Sequence, residues 1–287
     1  MLQTAQNNAL PSFLGAYAGS TIEFVRVIAK QRRLLGALAR RDISEDYVDH
    51  GFSLVWTVIQ PLFTMAVYVF CFVYIFPTRV DPPDGFPTNA VIYLLSGITP
   101  WMVICQVMNK GLGSIIGHAG VVKQMAFPLE LLPTKSLASP LLFAAVAISF
   151  LTAATVYAVG AKAVLVLAWA LPLLVLISLV LFTGLSLTLA SLQVFLRDTK
   201  EFVSMFTTIG FFLHPILYLP NAIPDVVRPV LYLSPLTYFI MCWQDIFFYG
   251  GIVRPSAWLI TTAFALVLLV FGARLFMGSN AHFGDFL

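Results

Sequence analysis

Charge is what this chain has least of. Asp, Glu, Lys and Arg make up 10% of 287 residues, where soluble domains carry about 25%. A net charge of +3 is too small to imply a nucleic-acid partner. The three cysteines, Cys71, Cys105 and Cys242, lie in apolar stretches without CxxC spacing, so neither a disulfide framework nor a zinc site is indicated. His50, His118, His214 and His282 are scattered without HExxH spacing, and no GxSxG is present, which leaves no recognisable nucleophile or metal site. Pro133-Thr134-Lys135-Ser136 ends like a P-loop but lacks the glycines that let backbone amides wrap a phosphate. The first 20 residues have neither a basic n-region nor a long apolar core, so the first spanning helix is expected to direct insertion.

What is present is apolar surface. Hydrophobic residues reach 60%, more than a water-soluble globule of this size could bury. Six stretches free of Asp, Glu, Lys and Arg have the length to cross a bilayer: residues 54–76, 90–108, 136–159, 164–193, 202–219 and 255–273. The fourth is overlong, which predicts a tilted or kinked helix or one that projects beyond the membrane. Positive charge gives the orientation. With both termini cytoplasmic, the outer segments hold only Arg79, Lys162, Arg228 and Arg254 of the 16 Lys and Arg. Residues 220–250 are apolar but broken by Pro220, Pro224, Pro229 and Pro235, which suits a re-entrant or interfacial helix pair on the outer side. Asp245 is the one acid in the uninterrupted stretch Leu236–Tyr249, and it either pairs with Arg228 or Arg254 or, as the favoured reading, meets water at the surface.

Before the first span, Ser20 and Glu23 have capping-box spacing. Phe24, Ile28, Leu35 and Leu38 then share one helical face, with Arg26, Lys30, Arg33 and Arg40 opposite. That pattern predicts an amphipathic helix with its apolar face in the inner-leaflet boundary and its basic face toward lipid headgroups or a cytoplasmic protein. The expected fold class is an all-α integral membrane protein with six transmembrane helices, an N-terminal amphipathic interface helix and a re-entrant helix pair before the last span. Residues 1–53 form the cytoplasmic segment and 54–287 the transmembrane domain.

The spans contain no Asp, Glu, Lys or Arg to carry a coupled proton or sodium ion, which disfavours a secondary transporter. His214, beside Pro215, reads as a hydrogen-bonded structural residue. Aromatic residues are plentiful at 14%. Trp258 has the place of an interfacial belt residue. Tyr68, Phe72 and Phe76 recur at four-residue spacing on one face of the first span, and Phe202, Phe206 and Phe212 mark the fifth. Such stripes fit either a carbohydrate path or ordinary lipid and helix contact.

Several motifs carry a family resemblance: Arg40-Arg41-Asp42 with Tyr47 and Trp56; Leu95-Ser96-Gly97 and Pro100-Trp101, then Lys123, Phe127-Pro128 and Leu132-Pro133; Arg197-Asp198; His214-Pro215-Ile216 with Tyr218; Ser234-Pro235; and the tail Phe283-Gly284-Asp285. From about residue 24 onward the chain resembles the membrane subunit of ATP-binding-cassette exporters for cell-surface polysaccharides such as O-antigens, capsules and teichoic acids.

The resemblance implies a bacterial inner-membrane permease that works as a homodimer with two copies of a cytoplasmic P-loop ATPase. This chain would hold no cofactor, and ATP and Mg2+ would bind the partner. The cargo would be a lipid-linked polysaccharide, and a periplasmic export partner could dock outside. It further implies ATPase coupling through the amphipathic helix (Arg33, Arg40, Arg41, Asp42) and a loop of residues 109–133 (Ser114, Ile115, Ile116, Lys123), loosened by Gly111, Gly113, Gly117 and Gly120. The substrate path would run along Tyr68, Phe72, Phe76, Trp101, Phe202, Phe206, Phe212 and Tyr218, closed outside by Tyr232, Tyr238 and Trp243. Three rivals remain: a permease of the same superfamily for a smaller lipid or drug; a membrane-embedded sugar-processing enzyme, for which Asp245 and Glu130 are the candidate acids; and a passive channel, which predicts conductance without ATP.

Overall fold

The computed structural model describes residues 19–47, 53–76, 88–124, 127–220, 224–226 and 228–287. Residues 1–18 of the N-terminal segment, Arg79, and 221–223 and 227 of the outer segment lie outside these, as does the side chain of Tyr47. Among the described residues the regular structure is entirely helical. In chain order the helices are α1 (residues 19–30), α2 (Arg32–Tyr47), α3 (Ser53–Val69), α4 (Ala90–Ile116), α5 (Ala119–Gln124), α6 (Leu131–Lys135), α7 (Ala138–Val159), α8 (Ala161–Phe195), α9 (Thr199–Leu213), α10 (Arg228–Leu233), α11 (Pro235–Phe247), α12 (Pro255–Ser279) and α13 (Phe283–Phe286). A π-helical segment, Phe70–Ile75, extends α3.

Among the described residues five helical segments are long and apolar enough to cross a membrane: Val58–Ile75, Ala90–Ile116, Leu131–Val159, Ala161–Phe195 and Pro255–Phe286. α8 has 35 residues, so at 1.5 Å per residue it is about 52 Å long, well beyond a hydrocarbon core of about 30 Å. α7 and α8 are joined at Gly160, whose φ of +77° is open to glycine and strained for other residues. The expected span 202–219 is different: α9 runs for 15 residues and stops at Leu213. Pro215 has no N–H to continue the ladder, and the chain leaves the helix through His214, which is extended.

α4 lies at the centre, with 78% of its crossing segment buried by protein against 11% for Val58–Ile75. Asn89 caps its start by accepting from the Ile92 N–H at 3.1 Å. It also runs further than the uncharged stretch 90–108: residues 109–116, expected to open a loosened loop, are its last two turns. Gly111 serves close approach there, because a Cβ at that position would stand 3.1 Å from Ser186 Cα on α8. The most extensive helix pair is α8 with α12, where Gly184 and Gly272 let the two backbones touch.

A second apolar cluster sits at the end of the bundle that carries Arg33, Arg40 and Arg41, here called the basic end. It joins Phe24 of α1 to Ile115, Leu132, Leu187, Ala190, Val194, Ala273, Phe276 and Phe283. Part of the apolar face of α1 meets the bundle: Phe24 is buried against protein, with Ile28 packed beside it. Arg26, Lys30, Arg33 and Arg40 are exposed on the opposite side, as their helical spacing requires. Ser20 already lies within the helix and is buried, so it does not stand at a cap.

Candidate substrate cleft and its supports

A cleft of about 570 Å³ opens between α3, α4 and α9. Along α3 it is lined by Gln60, Thr64, Tyr68 and Phe72, a run of four-residue steps that keeps one helical face turned inward. α4 contributes Trp101, Met102, Cys105 and Gln106, α7 contributes Phe143, and α9 contributes Thr207, Thr208, Phe211 and Phe212. Among the described residues no Asp, Glu, Lys, Arg or His lines the cleft. The threonine hydroxyls donate to their own helices, Thr64 to Gln60 O at 2.8 Å and Thr208 to Ser204 O at 2.9 Å, which leaves their oxygens able to accept. Tyr68 lies against Phe211 with ring centroids 5.0 Å apart, and Tyr68, Phe72 and Phe76 continue in 6.4 Å steps.

Trp101 is held in place from behind. Its indole lies over Gly210, where a side chain would collide with the ring, and meets His214 and Phe206 in tilted ring contacts with centroids 4.8 and 6.0 Å away. His214 is fully buried, with Nδ1 2.5 Å from Gly210 O and Nε2 2.9 Å from Ser234 Oγ. It is the structural, hydrogen-bonded residue that its place beside Pro215 indicated. The turn after it is gripped from two sides. Tyr93 donates to Tyr218 O at 2.6 Å and Gln244 donates to Pro215 O at 2.6 Å, while the Tyr218 hydroxyl is turned back onto Phe212 O and Leu213 O at 3.0 Å.

Of the residues expected along a path, the cleft thus gathers Tyr68, Phe72, Trp101 and Phe212. Phe206 supports Trp101 and Phe76 extends the aromatic stripe beyond the cleft. Phe202 lies outside it, exposed on the α9 face that also carries Met205, Ile209 and Phe212. Gln60, Thr64, Gln106, Thr207 and Thr208 were not singled out from sequence. The signal was available at Gln60 and Thr64, which prolong the Tyr68–Phe72–Phe76 spacing backward.

At the opposite end from the basic residues, Tyr232 and Tyr238 are half-buried with ring centroids 5.9 Å apart. Trp243, expected beside them as a gate or sugar contact, is instead enclosed between Phe239 and Phe247 and only 2% exposed, because α11 turns that face into the core. Asp245 is likewise not at the surface. It is fully buried, accepting from Arg254 Nε at 2.7 Å, the Arg254 backbone N–H at 3.0 Å and Trp258 Nε1 at 3.1 Å. Trp258 is accordingly a core residue 6% exposed rather than an interfacial one. Glu130, the other candidate acid, accepts from Asn280 at 3.2 Å, so the acids considered for an enzyme are separately engaged. Among the described residues no group of His, Cys, Asp and Glu could hold a metal ion.

At the basic end, Arg33, Arg40, Arg41, Ile116 and Lys123 are exposed. Ser114 and Ile115 are buried in the bundle, and Asp42 pairs with Lys135 at 3.3 Å. These three do not present themselves to a partner, because helical α4 turns Ser114 and Ile115 inward and α2 turns Asp42 toward α6.

The class that these features define is a multi-pass helical membrane protein with an uncharged, aromatic-lined cleft. The chain belongs to the ABC-2 type transporter family, which it matches over residues 33–248. It is similar to O-antigen export system permease proteins RfbA from Klebsiella pneumoniae, at 24% identity over 254 residues in one case and 25% in another, each covering 88% of this chain and 95% of the relative. It is similar also to the RfbA protein of that description from Myxococcus xanthus, at 25% identity over 267 residues, 92% of this chain and 99% of the relative.

Proposed function

We propose that the chain is the permease subunit of an ATP-driven exporter that moves a lipid-linked polysaccharide, of O-antigen or capsule type, across a bacterial inner membrane. The observation that carries this reading is the cleft. Aromatic faces suit the apolar C–H faces of sugar rings, and threonine and glutamine side chains suit their hydroxyls. In this reading two copies of the chain form the channel, with the exposed edges of α3 and α9 facing each other. α9 and the turn after it complete a sixth crossing, α10 and α11 are the outer re-entrant pair closed by Tyr232 and Tyr238, and both termini are cytoplasmic. Energy enters through two copies of a P-loop ATPase that binds ATP and Mg2+ and grips Arg33, Arg40, Arg41, Ile116 and Lys123. A periplasmic partner would meet the outer segment.

The test is purification of the tagged chain from native membranes in mild detergent, with the co-purifying proteins identified and counted. An equimolar P-loop ATPase, hydrolysing ATP faster when lipid-linked glycan is added, is the expected result. Repeated recovery of the chain without any nucleotide-binding partner would overturn the reading. Arg40 is exposed and among the described residues its side chain makes no hydrogen bond or ion pair, so Arg40→Glu is expected to leave the amount of inserted chain unchanged. Reversing a charge that faces the ATPase should still cut export by about tenfold, since removing an intersite coupling of 1–3 kcal/mol changes a function by roughly 5- to 150-fold. Comparison of surface glycan with immunoblotted chain in the same cells checks both halves of the expectation.

A further inference from the structure

Three polar side chains from three different elements meet at the basic end, and the substrate reading uses none of them. Asp42 stands on α2, Lys135 ends α6, and His118 lies in the turn after α4. Lys135 Nζ is 3.3 Å from Asp42 Oδ1 and 2.9 Å from His118 Nε2, and the lysine is 5% exposed. His118 Nδ1 is 3.0 Å from the Ser114 carbonyl oxygen, which can only accept. This bonding places the ring proton on Nδ1 and leaves the Nε2 lone pair for the ammonium. The cation is therefore held from two sides, by a carboxylate on one helix and a neutral imidazole beside another.

The place of this cluster gives it a consequence. α6 continues through residues 136–137 into α7, so the two form one apolar segment, Leu131–Val159. α6 is also fixed to α8, since Ser186 Oγ donates to Pro133 O at 2.8 Å. Asp42 Oδ2 is buried without a hydrogen-bond partner among the described residues, so Lys135 is what holds the carboxylate. An exposed ion pair would be screened and easily parted. A nearly buried one resists separation, because parting leaves a charge uncompensated in a poorly solvated site.

We infer that the Asp42–Lys135–His118 cluster is the mechanical link that carries movement of α2 into α7 and the end of α4. Asp42 and Lys135 are thus positioning residues of the export cycle rather than contacts of the ATPase. This rests on the reading that a cytoplasmic ATPase moves α2. Two global states that differ in the position of α2 can bias the membrane helices only through such a differential contact.

The experiment places Asp42→Asn, Lys135→Met and the charge-exchanged double variant Asp42→Lys/Lys135→Asp in the native host in place of the wild-type gene. Chain abundance, co-purified ATPase, its hydrolysis rate and extracted surface glycan are measured for each. Asp42→Asn is expected to keep an equimolar ATPase and its basal hydrolysis while surface glycan falls by about tenfold, within the range of intersite coupling. The exchanged pair is expected to recover part of the lost export. Export by Asp42→Asn equal to wild type would overturn the link, and so would loss of the bound ATPase, which would make Asp42 a docking contact. Should the single variants fail to accumulate, the exchanged pair decides: restored abundance with restored export supports the link, and restored abundance without export overturns it. A wild-type chain that carries no ATPase would sink the underlying reading instead, and that failure is visible before any substitution is made.

Discussion

Asp245→Ala is expected to destabilise the purified protein by about 3 kcal/mol, the lower part of the range for breaking a buried ion pair from one side. The carboxylate is fully buried and accepts three hydrogen bonds, two from Arg254 and one from Trp258. Its removal leaves the Arg254 guanidinium with Met241 O at 3.1 Å and the Tyr249 ring at 4.9 Å, neither of which neutralises it. The lower figure is chosen because the Arg254 side chain is 24% exposed, so water relieves part of the orphaned charge. The cluster ties α11 to the start of α12, so the loss should loosen the outer segment as well as lower stability. Denaturant or thermal unfolding in detergent measures the effect. Adding Arg254→Met to Asp245→Ala should recover part of the loss, because the double variant buries no unpaired charge. Strictly additive destabilisation would contradict that account.

The second large effect is expected at the crossing of α8 and α12. A Cβ on Gly184 would lie 2.6 Å from Leu269 N and 2.7 Å from Leu268 C, and one on Gly272 would lie 2.7 Å from Gly184 O. The atoms that obstruct Gly184 are all backbone, so no side chain can rotate away there and the two helices must separate along their length. Gly184→Ala should cost about 1–3 kcal/mol, as overpacking does, and Gly184→Leu should leave little monodisperse protein on size-exclusion chromatography. Gly272→Ala added to Gly184→Ala should cost less than the sum, since the first substitution already opens the shared contact. Gly113→Ala, with nothing within 4 Å of the added carbon, is the control and should behave as wild type.

Much of this architecture was legible before any coordinates. Uncharged runs located the five membrane-capable helices, because a bilayer of fixed thickness dictates both length and composition. Four-residue spacing on α3 placed Tyr68 and Phe72 on one face, and the structure turns that face into the cleft. The alternation of Phe24 and Ile28 with Arg26 and Lys30 likewise found the two sides of α1.

The failures share a cause. Glycines at 111 and 113 read as loop residues, whereas between membrane helices a glycine permits close approach, as Gly111 does against Ser186. Asp245 has Arg254 as one candidate partner in sequence, but the surface reading is favoured there because no local pattern shows that the chain reverses at Gly250, φ +74°, and brings Arg254 and Trp258 onto the carboxylate together. In sequence Lys135 reads as one of the inner-side cations and as the end of a P-loop-like run, although a lone lysine at the edge of the apolar stretch 131–159 is a hint of burial.

Sequence by itself determined the class of solvent, the approximate lengths of the helices and the absence of charge within them, since lipid imposes those properties on every residue in contact with it. Only the tertiary structure decided which apolar faces meet protein and which remain open. Lipid is as apolar as leucine, so hydrophobicity does not distinguish the lining of a core from an outer wall. The burial of Trp243, the enclosure of Ser114 and Ile115, and the assembly of Asp42, Lys135 and His118 from separate helices follow from how the helices cross, which no local pattern records.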